Sequence, residues 1–119
     1  MIRSLTLALA LAATALPAQE ATSTGNGAVL RGLDKLTGKA TDIEILSGQS
    51  VQFGRIEIAL RECRYPEGNR AGDAFAFLTV REAGEAEPVF RGWMVASSPA
   101  LNAMDHQRYD VWVLRCTTS

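Results

Sequence analysis

The chain has 119 residues, of which 47% are hydrophobic, and a formal net charge of −1. This length fits one small domain. The slightly acidic balance argues against nucleic acids and anionic membrane surfaces as partners, because binding to them needs clustered positive charge.

Residues 1–18 have the three-part layout of a secretory signal peptide. Arg3 precedes an apolar run of Leu and Ala, and the segment ends on small residues at Ala18. The run is shorter than the roughly 20 apolar residues of a membrane helix. We therefore expect residues 1–18 to be removed on export to the periplasm, leaving no membrane span in the mature protein. The small, polar residues 19–27 are expected to form a flexible leader, followed by one domain over residues 28–119.

Short apolar or alternating runs separated by Gly, Pro, Asn and Asp follow from Ala28 onward, a pattern typical of β-strands joined by turns. The predicted strands cover residues 29–34, 40–46, 50–53, 55–64, 73–82, 88–97 and 109–116. In residues 55–64 the apolar side chains alternate, and Cys63 falls on the polar side. This predicts either a bulge near Glu62 or an outward-facing disulfide. Residues 73–82 are apolar on both faces, which predicts a central strand covered on both sides.

Residues 98–106 depart from the alternating pattern. Ser98 suits a helix cap and Pro99 the first helical position, and several good helix formers follow. The elements together predict an all-β fold, a small antiparallel β-sandwich or barrel with one short helix near residues 98–106.

Cys63 and Cys116 are the two cysteines of the chain. An even pair in an exported domain favours a disulfide, since that compartment is oxidising. Two buried free thiols are an alternative. A two-cysteine metal site is another, but it needs more ligands than the single histidine supplies. We expect no metal and no cofactor.

The block around the predicted helix is the one place where the sequence offers hydrolytic chemistry, which needs a nucleophile, a base and an orienting acid. The residues available for these roles are Ser97, Ser98, Asp105, His106 and Asp110. No G-x-S-x-G motif surrounds the serines, and a metal site at His106 with Asp105 and Asp110 lacks a second histidine. Ser98 and His106 are explained by the two ends of the helix. We therefore predict no catalytic residues and a protein that is not an enzyme.

Aromatic and arginine residues supply the candidate binding positions. Trp93 and Trp112 flank the block that contains His106, itself a candidate, and aromatic faces provide binding area at little entropic cost. Packing of both tryptophans in the core is the alternative. Arg64, Tyr65 and Arg70 lie at or in the loop 65–72, a candidate recognition loop whose alternative is a plain surface connection.

Several motifs in a fixed order carry a family resemblance. They are LDKLTG (33–38), FGRIEI (53–58), RECRYP (61–66), AGDAFAFL (71–78), GWM (92–94), SSPAL (97–101) and YDVWVLRC (109–116). Over residues 27–117 the chain resembles the DUF2155 family of alphaproteobacterial exported proteins. The resemblance implies an envelope location and pairing of Cys63 with Cys116. It implies no activity, substrate or catalytic residue.

These observations predict an exported, non-enzymatic binding or accessory module of the cell envelope, whose partner is another envelope protein. One alternative is a small periplasmic hydrolase that uses Ser97 or Ser98 with Asp105 and His106. The other is a glycan-binding module that uses Trp93 or Trp112.

Overall fold

The structure is a computed structural model, and it describes residues 21–118. These residues form eight β-strands and no helix. The strands are β1 (Thr22–Thr24), β2 (Gly27–Asp34), β3 (Lys39–Leu46), β4 (Ser50–Phe53), β5 (Ile56–Pro66), β6 (Phe75–Glu82), β7 (Pro88–Val95) and β8 (Tyr109–Thr117). The described part thus contains no helix long and apolar enough to cross a membrane. The predicted signal peptide lies outside the described residues.

The strands form two sheets with antiparallel pairing throughout, so the all-β, antiparallel prediction is confirmed. The five-stranded sheet has the order β1–β5–β6–β7, with β4 paired to the first residues of β5. The three-stranded sheet has the order β3–β2–β8. Tight turns connect β2 to β3, β4 to β5 and β6 to β7, whereas the chain from β7 to β8 passes from one sheet to the other.

One cluster of buried side chains includes residues of both sheets. Because side chains alternate along a strand, every second residue of β6 points into this cluster, as does every second residue of β5 up to Leu60 and of β8 up to Val113. Its fully buried large members are Leu30, Ile56, Ile58, Leu60, Leu78, Val80, Val111 and Val113. The opposite faces of the same strands remain accessible to solvent.

A disulfide joins Cys63 of β5 to Cys116 of β8 and so links the two sheets. The pairing of β5 with β6 shifts register between Leu60 and Glu62, which confirms the predicted bulge near Glu62. The extra residue, Arg61, changes the parity of the strand and turns Cys63 into the core, where it is fully buried. The disulfide is therefore internal, not outward-facing.

The short helix predicted over residues 98–106 is wrong, because the structure has turns there. The Ser98 N–H donates to the carbonyl of Val95 (3.1 Å), and the Leu101 N–H donates to that of Ser98 (3.0 Å). An isolated helix of this length is marginal in water. The segment is held instead by the buried Met104 and by Asn102, whose Nδ2 donates to the Trp93 carbonyl at 2.8 Å.

The flexible leader predicted over residues 19–27 is wrong where the structure describes it. Thr22–Thr24 form β1 and pair with Arg64, Tyr65 and Pro66 of β5. The Gly25 N–H donates to the Cys63 carbonyl at 2.8 Å, and β2 already begins at Gly27. Backbone hydrogen bonds, which do not depend on hydrophobic side chains, order this polar stretch.

The strand predicted over residues 73–82 to be covered on both faces has only one covered face. It lies centrally in its sheet, between β5 and β7, as predicted. Ala76, Leu78 and Val80 are buried, but Phe75 and Phe77 on the other face are half-buried. No second layer of the described residues covers the outer side of this sheet.

Candidate functional site

The outer side of the five-stranded sheet carries a strip of apolar side chains across β6 and β7. Phe77 pairs with Trp93, and Phe75 pairs with Val95 in the next row. We call these four residues the aromatic face. They lie opposite the buried positions of the same strands, and Trp93 stays 38% exposed. Aromatic side chains that remain accessible on a rigid sheet are typical of binding surfaces.

The rings of the aromatic face are held in a defined geometry. Phe77 and Trp93 pack edge to face, with ring centroids 5.4 Å apart and an interplanar angle of 82°. The guanidinium carbon of Arg61 lies 4.7 Å from the centroid of Phe77. Arg61 is the bulge residue of β5, so the bulge directs it over this ring. The face is therefore preorganised, which reduces the entropy lost on binding.

Trp112 lies on the other sheet and does not join the aromatic face. It pairs with Arg31 of β2 and is half-buried. Its indole lines a cavity of about 230 Å³ together with Pro99, Ala100 and Ala103 of the segment between β7 and β8. Of the two candidate tryptophans, Trp93 is thus exposed and Trp112 is partly covered.

The loop candidates Arg64, Tyr65 and Arg70 lie near the disulfide. Arg64 Nε is 3.1 Å from Glu62 Oε1, and its Nη1 donates to Thr22 Oγ1 at 3.1 Å. Tyr65 and Arg70 line a polar cavity of about 330 Å³. Arg64 is thus occupied within the fold, whereas Tyr65 and Arg70 border an open surface.

His106 lies at the other end of the domain, where it connects β6 to the start of β8. Its Nδ1 accepts hydrogen bonds from the backbone N–H groups of Arg108 (2.9 Å) and Tyr109 (3.0 Å). Nδ1 therefore carries no hydrogen, and Nε2 donates its own to Glu82 Oε1. Both ring nitrogens are engaged by the protein, and the ring also packs against that of Tyr109.

The predicted hydrolytic set is not joined by hydrogen bonds among the described residues. Ser97 Oγ donates to Asp73 Oδ2 at 2.6 Å, and the Ser97 N–H donates to Asp73 Oδ1 at 2.9 Å. His106 is bonded to Glu82, which the sequence analysis did not consider. Asp105 and His106 both line an open cavity of about 470 Å³, but neither serine lines it.

An ion pair holds the segment around His106 to the end of β2. Arg108 binds Asp34 through two contacts, Nε to Oδ1 at 3.1 Å and Nη2 to Oδ2 at 2.8 Å. These side-chain hydrogen bonds hold the pKa of Asp34 below its ordinary value and raise that of Arg108. Lys35 adds a hydrogen bond from Nζ to the His106 carbonyl at 2.6 Å. The cluster is thus tied together by the fold.

Residues 28–116 match the family described as "Uncharacterized protein conserved in bacteria (DUF2155)". The chain belongs to the DUF2155 family. The resemblance inferred from the ordered motifs is therefore confirmed.

One relative illustrates how far the similarity reaches. The chain is 30% identical over 94 residues to "Uncharacterized protein RP359" of Rickettsia prowazekii (strain Madrid E), which covers 76% of this chain and 60% of the relative. The chain thus spans less than two thirds of that relative's length. No solved structure matches the chain.

The aromatic face of this DUF2155 domain contains residues that the sequence analysis did not select. Trp93 was a candidate, but Phe75, Phe77 and Arg61 were not. The signal was the second apolar face of residues 73–82, which was interpreted as a buried face. The half-buried Phe75 and Phe77 and the 38% exposed Trp93 show that this face remains open to solvent.

Proposed function

We propose that this DUF2155 chain is a non-enzymatic binding module exported to the periplasm, where it binds another envelope protein through the aromatic face. The carrying observation is Trp93, a large aromatic side chain that is 38% exposed and packed on Phe77. Trp and Arg are enriched among the few residues that contribute most of the binding energy at protein interfaces. The two sheets, joined by the disulfide, form the β-sandwich scaffold that presents this face.

The proposed location is supported by the layout of residues 1–18 and by the Cys63–Cys116 pair. Disulfides persist in exported proteins and are rare in the bacterial cytosol. Mass spectrometry of the protein purified from its native host tests this part. A mature chain beginning at Gln19 and lacking free thiols is the expected result. An intact Met1 with two free thiols contradicts export.

Site-directed capture tests the binding role. Trp93→Ala is expressed with a tag in the native host, envelopes are cross-linked, and co-purifying proteins are quantified. Trp112→Phe is the matched control, because it changes a tryptophan outside the aromatic face. We expect a stoichiometric partner with the wild type and the control but not with Trp93→Ala, at unchanged melting temperature. Equal capture by all three chains contradicts the proposal.

A glycan is a second candidate ligand for the same face, favoured by the exposed indole of Trp93. Sugar rings present apolar C–H faces that stack on an aromatic ring. Titration of the protein with soluble peptidoglycan fragments, followed by tryptophan fluorescence, tests this alternative. A saturable change that Trp93→Phe abolishes and Trp112→Phe retains supports it, and an unresponsive spectrum excludes it.

A further inference from the structure

The outer side of the sheet around the aromatic face has the opposite charge to the chain as a whole. The complete chain has a net charge of −1. Among the described residues, β5, β6 and β7 place four arginines and two glutamates on the outer side of the sheet. These are Arg61, Arg64, Arg81 and Arg91, with Glu57 and Glu62. A local cationic surface on an acidic chain is a feature that complementary partners recognise.

Two of these arginines flank the exposed rings without an ion-pair partner in the described part of the chain. Arg64 is neutralised by Glu62, and Arg81 Nε donates to the carbonyl of Ala86 at 3.0 Å. Arg61 and Arg91 are exposed and form no salt bridge among the described residues. Arg61 lies over the ring of Phe77. Arg91 lies two residues before Trp93 on β7, so both side chains are on the same face of the sheet.

We infer that the partner that docks on the aromatic face is an acidic protein segment, with an apolar or aromatic side chain seated on Trp93 and Phe77 and carboxylates facing Arg61 and Arg91. This inference rests on the proposed function. A planar guanidinium binds a carboxylate through two parallel hydrogen bonds, and it does so while stacked on an aromatic ring. The inferred partner therefore covers the exposed rings with apolar surface and supplies counter-charges to the two unpaired arginines.

Other occupants fit these observations less well. A neutral glycan stacks on Trp93 but leaves both guanidiniums without a counter-charge. A second copy docked through the same face brings two cationic surfaces together, and like charges across an interface oppose binding. Nucleic acid offers phosphates to the arginines, but two unpaired cations neutralise few phosphates, and affinity for nucleic acid depends on their number.

Photo-cross-linking on the face tests the inference in the full chain. p-Benzoylphenylalanine is placed at Thr79, which pairs with Arg91 and lies on the outer side of the sheet. The same group at Leu36, which is 74% exposed in the turn after β2, is the positional control. After irradiation in the native host, the adduct is purified and the cross-linked peptide is identified by mass spectrometry.

Charge variants then separate the inference from the proposed function. Arg61→Glu combined with Arg91→Glu is expected to lower the adduct yield at least about tenfold, since opposite charges are replaced by like ones. Arg61→Lys with Arg91→Lys keeps most of the yield. Arg115→Glu on the other sheet leaves it unchanged. Unaltered melting temperatures show that each variant folds.

The outcomes distinguish the acidic-partner inference from the proposed function. A Thr79-specific adduct on an acidic peptide, lost with the charge reversal, supports the inference. A protein adduct that survives the charge reversal overturns the acidic partner and leaves the proposed function standing. An adduct to nucleic acid, to glycan or to a second copy overturns both. Absence of any Thr79-specific adduct also overturns both.

Discussion

Gly54 packs directly against the ring of Tyr109. A Cβ added at Gly54 would lie 2.7 Å from the Cζ atom of that ring, too close for any real contact. Gly54 also has a φ of 58°, which disfavours any other residue. The Tyr109 hydroxyl accepts a hydrogen bond from the Arg55 N–H at 3.1 Å, so the turn between β4 and β5 is anchored to the start of β8. This contact joins the two sheets at the end opposite the disulfide.

Gly54→Ala is predicted to lower the free energy of unfolding by about 2–4 kcal/mol, as the sum of backbone strain and overpacking. Gly38→Ala is the matched control, because Gly38 has a φ of 78° and nothing within 4 Å of an added Cβ. It should cost only the backbone term, about 1–2 kcal/mol. Urea unfolding of both variants measures the difference. Equal losses would show that Tyr109 does not restrict the turn.

Reduction of the Cys63–Cys116 bond is predicted to lower the free energy of unfolding by about 4 kcal/mol, from the loop entropy of a 53-residue separation. This is a large share of the roughly 5–15 kcal/mol typical of a small domain. Urea unfolding with and without reductant measures it. Cys63→Ala with Cys116→Ala provides the comparison without reductant. A shift below about 1 kcal/mol contradicts a structural role for the bond.

His106→Ala is predicted to destabilise the domain by about 2–3 kcal/mol, because two backbone N–H groups at Arg108 and Tyr109 lose their acceptor. His106→Asn is the matched variant, since its side-chain oxygen can replace Nδ1 as the acceptor. It should recover a large part of the loss although it no longer reaches Glu82. Thermal and urea unfolding measure both. If both variants were equally destabilised, the loss would instead be attributed to the hydrogen bond between His106 and Glu82.

The Asp34–Arg108 ion pair is predicted to stabilise the domain by an amount that depends on pH. The pKa of Asp34 is lowered in the folded state by hydrogen bonds from Arg108. A depressed pKa means that the stabilisation is present above the unfolded-state value, 3.8, and is lost as the pH falls through the folded-state value. Asp34→Asn should therefore reduce the loss of unfolding free energy that occurs as the pH falls below 3.8.

Asp42→Asn is the control for this pH dependence. Its partner Arg31 likewise lowers the pKa of Asp42, but the two side chains are 42% and 52% exposed, against 38% and 17% for Arg108 and Asp34. Solvent screens the more exposed pair more strongly. Urea midpoints over an acid pH series should therefore change less for Asp42→Asn. A larger change for Asp42→Asn than for Asp34→Asn would contradict the prediction that the Asp34–Arg108 pair stabilises the domain more.

Local patterns in the sequence were sufficient for most strands. The alternation of Ile56, Ile58 and Leu60 predicts β5 because period two matches the pleat of a strand. The break in parity at Cys63 predicts either a bulge near Glu62 or an outward-facing disulfide, and the structure has the bulge. These features depend on neighbours along the chain, and the sequence contains that information directly.

Predictions that failed involve segments whose conformation depends on distant residues. Residues 98–106 have helical propensity, but Met104 and Asn102 tie them to the core and to Trp93. Propensity contributes a few tenths of a kcal/mol per residue, less than burial of one large side chain. Thr22–Thr24 contain no hydrophobic pattern, yet the exposed edge of β5 provides hydrogen-bond partners for them.

The sequence by itself determined the all-β class, most strand positions and the family, because each depends on local periodicity or on short ordered motifs. It favoured the pairing of Cys63 with Cys116, and the structure shows that bond. Only the tertiary structure decided which apolar faces are covered. Trp93 and Trp112 have similar local surroundings, but β7 presents the first on an open sheet face whereas the 98–106 segment partly covers the second. Asp34 and Arg108 are 74 residues apart and meet only because β2, which ends at Asp34, pairs with β8, which begins directly after Arg108. Exposure and charge pairing depend on the order of strands, which periodicity does not specify.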